Sequence, residues 1–397
     1  MISQRELFYS YIAQTSPEPM DLHIEKAEGV HLIDSEGKKY VDLISGISVS
    51  NVGHCNPRVV KAIQEQSQKY MHLMVYGEYV QTPQNQLAES ICNLLPEALN
   101  NIYFVNSGSE AIEGALKLAK RYTGRTEIIS CKNAYHGSSH GALSIMGNED
   151  FKNNFRPLLP QTRLIQYNNF EDLKHITTNT AAIVIEAFQA EAGIILPEKG
   201  YIQAVREKCN EVGALMVVDE IQTGFGRTGT FFGFEQHGIT PDIITLAKGM
   251  GGGMPIGAFI SKKEIMQKLT HNPVLGHITT FGGNAVSCAA SLACLQEIQE
   301  NKLTENVNRL SPIFLKHLKH PAIIETRGIG FFLCIEFKNQ AFNFGVIKKC
   351  VLKGVITDWF LFNDKCLRIS PPLNLDEKTA VDCCSKILEA IEEQSAL

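Results

Sequence analysis

Four short apolar runs, at residues 102–105, 182–185, 215–218 and 243–246, each stop at a polar or charged group. Runs of this length, apolar throughout and bounded by polar or turn residues, read as strands buried on both faces, as a parallel sheet covered by helices requires. Between about residue 50 and residue 290 they alternate with longer helical patterns, the signature of an α/β sheet. Ligands of open α/β sheets sit at the carboxyl ends of the strands. The residues standing there are Asn106-Ser107-Gly108-Ser109, Glu186, Asp219-Glu220 and Ala247-Lys248. Any one of these alone is weak evidence, whereas four polar strand ends in one chain call for a site.

Beyond Gly282-Gly283-Asn284 a helical pattern covers residues 285–300, followed by strands near residues 331–337 and 367–370. The expected organisation is a large α/β domain over residues 50–290 and a smaller α+β domain made of residues 1–49 with 291–397. The first fifty residues, with a hairpin pattern turning at Glu36-Gly37, are assigned to the smaller unit because so short a segment rarely builds its own core.

Net charge is −5, from 37 basic against 42 acidic residues, and no basic run tracks a phosphate backbone, so nucleic acid is not an expected partner. No apolar run approaches a membrane span, and the polar, proline-interrupted start lacks the pattern of a secretory signal. The 11 cysteines form no CxxC pair and read as reduced thiols of a cytoplasmic protein, with Cys383 and Cys384 packed in a C-terminal helix. His136 and His140 stand four residues apart without an HExxH motif, and no metal is expected.

The segment NSGSEAIEGALKLAKRYTG follows a strand and opens a helix whose apolar stripe is Ile112, Ala115, Leu116, Ala119 and Tyr122. Gly108 and Ser109 therefore sit at a helix N-terminus, where free N–H groups and the macrodipole favour an anion such as phosphate, and Ser107 and Ser109 add hydroxyls. Ordinary capping by the Ser-Gly turn explains the same residues. Asp219 ends a buried strand, which is costly unless something positive or hydrogen-bonding meets it; a protonated pyridine nitrogen would, and so would an ordinary salt-bridge partner. Lys248 precedes Gly249, Gly251, Gly252 and Gly253. A lysine held in a pocket loses its usual pKa of about 10.4 and forms imines, whereas an exposed strand-end lysine does neither. Taken with Asp219 and the Ser107-Gly108-Ser109 turn, the pocket reading is the better one. Tyr135, beside His136 and Gly137, offers an aromatic face to a planar ring. Residues 224–229 match GxGxxG, but the following TFFGFEQHG cannot form the helix a dinucleotide site needs, so a nicotinamide dehydrogenase is set aside.

In their order along residues 22–373, SGSE, YHG, QAEAG, DEIQTGFGRTG, LAKGMGGGMPIGA and TTFGGN resemble the class III aminotransferases, especially the acetylornithine and ornithine types. The resemblance implies a fold-type I pyridoxal-phosphate transferase, its large domain carrying a mostly parallel seven-stranded sheet, working as a homodimer with active sites at the subunit interface. It implies that Lys248 is the Schiff-base lysine and the proton-moving base, that Asp219 partners the pyridine nitrogen, and that Gln222 bonds the ring hydroxyl. Ser107, Gly108 and Ser109 match the phosphate loop, Tyr135 the stacking aromatic, and His136 and Glu186 stand with them among the cofactor-binding residues. Thr280 matches a threonine that reaches the phosphate from the neighbouring subunit, having no expected reason to lie near the Gly108 loop of its own. Arg368 matches the arginine for the substrate α-carboxylate, and Glu191 the glutamate that pairs with it. The implied activity is transfer of an amino group from acetylornithine, ornithine or another ω-amino donor to a 2-oxo acid, by a ping-pong mechanism. An aminomutase or racemase is the alternative on the same fold, and a binding protein without turnover has no support. Two departures stand out: EAFQAE at residues 186–191 replaces the family's EPxQGE, and Ser138 stands where these enzymes carry an arginine for a distal carboxylate. Arg156 is the candidate substitute, and pyruvate becomes a rival to 2-oxoglutarate as acceptor.

Overall fold

The computed structural model describes residues 2–75 and 77–397. Near the N-terminus, β1 (Ile24–Glu28), β2 (His31–Asp34) and β3 (Lys39–Asp42) form an antiparallel meander, and β2 and β3 flank the Glu36-Gly37 turn.

The central sheet comprises β4 (Asn101–Val105), β5 (Glu127–Cys131), β6 (Thr162–Ile165), β7 (Thr180–Glu186), β8 (Leu215–Asp219), β9 (Ile243–Leu246) and β10 (Gly257–Ser261). Their spatial order is β4-β10-β9-β8-β7-β5-β6. Every residue of β7, β8 and β9 is buried, as strands covered on both faces must be. β10 alone runs antiparallel to its neighbours. The reason is local: only residues 247–256 link β9 to β10, with a single 3-10 turn at Lys248–Gly251 among them, and a parallel return needs a longer crossover.

The helix Gly108–Thr123 packs across β7, β9 and β10, capped at its start by the Ser107 hydroxyl, which accepts from Glu110 N–H at 3.2 Å. Ile112, Ala115, Leu116 and Ala119 are buried as their spacing requires, while Tyr122, on the same predicted stripe, is 43% exposed near the helix end. Strand register then matters for the site. Glu186 pairs with Asp219 and Asp219 with Thr245, so three neighbouring strands end level, with Lys248 three residues further along.

The remaining sheet contains β11 (Glu325–Ile329), β12 (Phe332–Glu336), β14 (Trp359–Phe360) and β15 (Asn363–Ile369) in the order β11-β12-β15-β14. Between them β13 (Val355–Ile356) leaves to pair parallel with β3, which ties the N-terminal meander to the C-terminal part of the chain. Cys383 and Cys384 are buried in the last helix, Glu377–Ser395. Among the described residues no helix is long and apolar enough to cross a membrane.

Candidate active site

A cavity of about 400 Å³ opens at the carboxyl ends of the central strands, within the size range of small-molecule sites. Ser107, Gly108, Ser109, Tyr135, His136, Glu186, Asp219, Gln222 and Lys248 all line it. Nine residues from five separate segments of the sequence thus meet at one location.

Asp219 is held from two directions: Oδ1 accepts from Ile221 N–H at 2.9 Å, and Oδ2 lies 2.8 Å from His136 Nδ1. Burial works against a charge on His136, but the hydrogen bond and charge of Asp219 outweigh it and raise the imidazole pKa. The other ring nitrogen, Nε2, is buried without a hydrogen-bond partner among the described residues. Glu186 accepts from Ala190 N–H at 2.8 Å and from Tyr135 N–H at 3.3 Å. Burial nevertheless lifts its carboxyl to about 7, with His136 opposing the shift. Lys248 lies among these groups, and loss of solvent around its ammonium lowers it to about 8, against the pull of Glu191.

At the other end, the first-turn N–H groups of Gly108 and Ser109 have no intrahelical acceptor, and the dipole of a 16-residue helix points at the cavity from there. Capping and anion binding are compatible, since Ser107 caps through its oxygen lone pair and keeps its hydroxyl proton. The facing loop approaches closely: Ser138 N–H donates to Ser109 Oγ at 3.2 Å, and a Cβ on Gly137 would lie 2.2 Å from that oxygen.

One side chain beyond the cavity wall, Gln222 Nε2 donates to Glu191 Oε1 at 2.9 Å. Glu191 in turn holds Arg368, with Nη2–Oε2 at 3.0 Å and both Nη1 and Nη2 at 3.2 Å from Oε1. Burial alone would raise Glu191, but the guanidinium dominates and holds it at about 2. Asp358 Oδ1 takes Arg368 Nε–H at 3.0 Å, and burial there wins over the arginine and pushes Asp358 up to about 6.

Three expectations need correction or placing. The segment carrying Thr280 is not remote from the phosphate loop of its own chain, because Asn106 Nδ2 donates to the adjacent Thr279 Oγ1 at 2.9 Å; Thr280 itself is exposed and does not line the cavity. Arg156 is engaged by Glu149 at the surface, outside the cavity lining, and so is badly placed to replace the missing guanidinium. Ser138 is exposed, its Oγ 3.1 Å from the Tyr135 hydroxyl, and offers no positive charge. Val49, Ile221 and Met254 also line the cavity but carried no chemical signal. Met254 could have been found from its place in the glycine-rich run. Val49, two hundred residues from Lys248, and Asp358, on no recognisable motif, could not.

The arrangement has relatives. A family model for class-III aminotransferases matches residues 11–391. The acetylornithine aminotransferase of Archaeoglobus fulgidus is 37% identical over 356 residues, which span 89% of this chain and 92% of that protein. Ornithine aminotransferase 1 of Staphylococcus aureus is 37% identical over 383 residues, 93% of this chain and 94% of its own. The ornithine aminotransferase of Toxoplasma gondii, whose structure holds PLP at partial occupancy in its active site, superposes with a TM-score of 0.92 at 28% identity, covering 98% of this chain and 94% of that one.

Proposed function

This chain belongs to the class III aminotransferases, and on that premise we propose that it binds pyridoxal 5'-phosphate in the cavity before Lys248 and moves an amino group from an ω-amino donor of the ornithine or acetylornithine kind to a 2-oxo acid. One observation carries the reading: an amine of lowered pKa, a carboxylate fixed by a histidine and an open helix N-terminus converge on one cavity, matching the aldehyde, ring nitrogen and phosphate of that cofactor. When bound, pyridoxal phosphate supplies a carbonyl that takes an amino group and a cationic ring that draws electrons from the carbon being deprotonated.

Each side chain then has a task set by its surroundings. Asp219, held by Ile221 N–H and His136, would keep a proton on the ring nitrogen. Lys248 would supply the amine that holds the cofactor's aldehyde and the base that moves a proton at the donor carbon. With its pKa at about 8, roughly one molecule in ten has that amine neutral at pH 7, against roughly one in three thousand at 10.5. Gly108 and Ser109 N–H groups would hold the phosphate, Tyr135 would cover the ring, and Gln222 would bond its hydroxyl. Arg368 takes the substrate carboxylate. Glu191 and Asp358 together neutralise the buried guanidinium, so Glu191 leaves at least cost when another carboxylate takes its place. A donor that lacks a carboxylate finds the pair closed.

The same reading divides the chain into residues 50–290 and a smaller unit of 1–49 with 291–397, supported by the pairing of β13 with β3. It places the enzyme in the cytoplasm, in keeping with 11 free thiols, and as a homodimer that shares its active sites. The test is spectroscopic. The purified enzyme with pyridoxal phosphate should show a visible band that is lost on adding ornithine or acetylornithine and restored by pyruvate or 2-oxoglutarate. A band that no amino donor bleaches sinks the proposal.

A further inference from the structure

We propose that Asp358 is a positioning residue for the substrate carboxylate: a fixed counter-ion that keeps the Arg368 guanidinium aimed while Glu191 gives way. This rests on the reading of Arg368 as the carboxylate holder.

The donors of Arg368 divide by where their acceptors come from. Its terminal nitrogens meet Glu191 at 3.0–3.2 Å, and Glu191 stands in the segment between β7 and the helix Tyr201–Val212. Its Nε meets Asp358 Oδ1 at 3.0 Å, and Asp358 lies across the same hairpin that carries Arg368. The two are also joined through the backbone, Arg368 N–H donating to Asp358 C=O at 2.9 Å. Glu191 is bonded to the turn of that hairpin, Phe362 N–H donating to its C=O at 3.1 Å, so its side chain can swing aside without disturbing the arginine backbone, whereas the Asp358 carboxyl is seated directly beside the arginine it holds.

The rest of the seat belongs to that hairpin too. Trp359 C=O accepts from Nη2 at 3.2 Å, and the Phe360 ring lies 4.3 Å under the guanidinium carbon. Leu361 N–H and Gln222 Nε2, which now hold the Glu191 carboxylate at 3.1 and 2.9 Å, face the place an incoming carboxylate would take. The paired Nη edge is thus the exchangeable side of Arg368, and the Nε edge held by Asp358 is the permanent one. A planar fork recognises a carboxylate only when its plane is fixed, and the Nε contact is what stops it turning about its last bonds. Two other charged groups bear on the pair, Lys248 from the side of Glu191 and Asp42 from the side of Asp358.

The experiment uses the holoenzyme and steady-state kinetics with pyruvate and 2-oxoglutarate, comparing Asp358→Ala, Asp358→Asn and Arg368→Ala. Asp358→Ala should raise KM for both oxo acids about tenfold or more, the value of a charged hydrogen bond, while kcat at saturation stays within about threefold and pyridoxal-phosphate affinity is unchanged. Asp358→Asn keeps an acceptor for Nε and should restore KM to within about threefold of the native enzyme. If the alanine variant does not fold, Asp358→Ser, too short to reach Nε, carries the same expectation. A native KM in the alanine or serine variant, with Arg368→Ala impaired, overturns the proposal, as does an asparagine variant as poor as alanine. A native KM in Arg368→Ala means that the carboxylate reading itself has failed.

Discussion

Lys248 has a left-handed backbone, φ 47°, immediately after a buried strand. That conformation costs a non-glycine residue roughly 1–2 kcal/mol, and it persists here because the turn into Gly249–Gly251 is made at the lysine itself. Its titration gives a direct check. Because the neutral amine is the reactive form and burial holds its pKa at about 8 rather than 10.5, capture of pyridoxal phosphate by the cofactor-free protein should accelerate about tenfold per pH unit below 8 and level off above it. A rate still climbing at pH 10 would show an ordinary lysine, and Lys248→Ala should give no covalent capture at any pH. Asp219→Asn keeps the shape but loses the charge facing the ring. It should cost on the order of a hundredfold in kcat, as removal of one preorganised electrostatic group does, while the fold is retained. Near-native turnover in that variant would make Asp219 structural.

At the level of elements, legibility followed unbroken apolar runs. β7, β8 and β9 were readable because strands buried on both faces are apolar throughout, and their polar ends located Glu186, Asp219 and Lys248. β5, β6 and β10 were not: β6 is an edge strand with an exposed Arg163, β5 is buried but its apolar run is cut short by Ser130, and β10 starts at Gly257, which merges with the glycine-rich turn before it. The site's charged groups were legible where they ended strands, and Asp358 was hidden because a cross-strand partner has no sequence spacing to betray it. Two glycines at the ends of one helix region show what contact, rather than backbone freedom, contributes. Both have positive φ, but a Cβ at Gly124 meets nothing within 4 Å while one at Gly137 strikes Ser109 Oγ. Gly124→Ala should therefore cost about 1 kcal/mol of stability and leave cofactor affinity alone, whereas Gly137→Ala should weaken pyridoxal-phosphate binding about tenfold or more. Equal cofactor affinities in the two variants would refute the close approach. On the same loop, Ser138→Arg should improve 2-oxoglutarate relative to pyruvate by about tenfold in kcat/KM, by supplying the distal guanidinium. An unchanged ratio in a native enzyme that already favours 2-oxoglutarate would mean another cation holds that carboxylate.

For the whole molecule, a dimer is expected although the segment carrying Thr280 lies beside the phosphate loop of its own chain. That expectation rests on an apolar surface. Met71, Leu73 and Met74 on one loop, and Val274, Leu275, Ile278 and Phe281 on another, are all exposed. The loops touch, with the His72 and Phe281 rings 4.8 Å apart and Asn284 Nδ2 donating to Met71 C=O at 3.0 Å, so the two exposed apolar segments adjoin there. Contiguous apolar surface of this kind marks an interface. The patch also adjoins the site, because Thr279 holds Asn106 next to Ser107, and a second copy seated there would bring exposed residues such as Thr280 to a neighbouring cavity. Since closed homo-oligomers are most often twofold, the expected species in sedimentation is twice the 44.0 kDa chain. Phe281→Glu places a charge inside the patch and should shift that species toward monomer, losing pyridoxal phosphate in parallel. Thr280→Val should leave the dimer intact and weaken cofactor binding alone, by removing one hydroxyl from the partner's phosphate. A native protein that sediments as a fully active monomer would end the shared-site model, and a Phe281→Glu dimer would move the interface elsewhere.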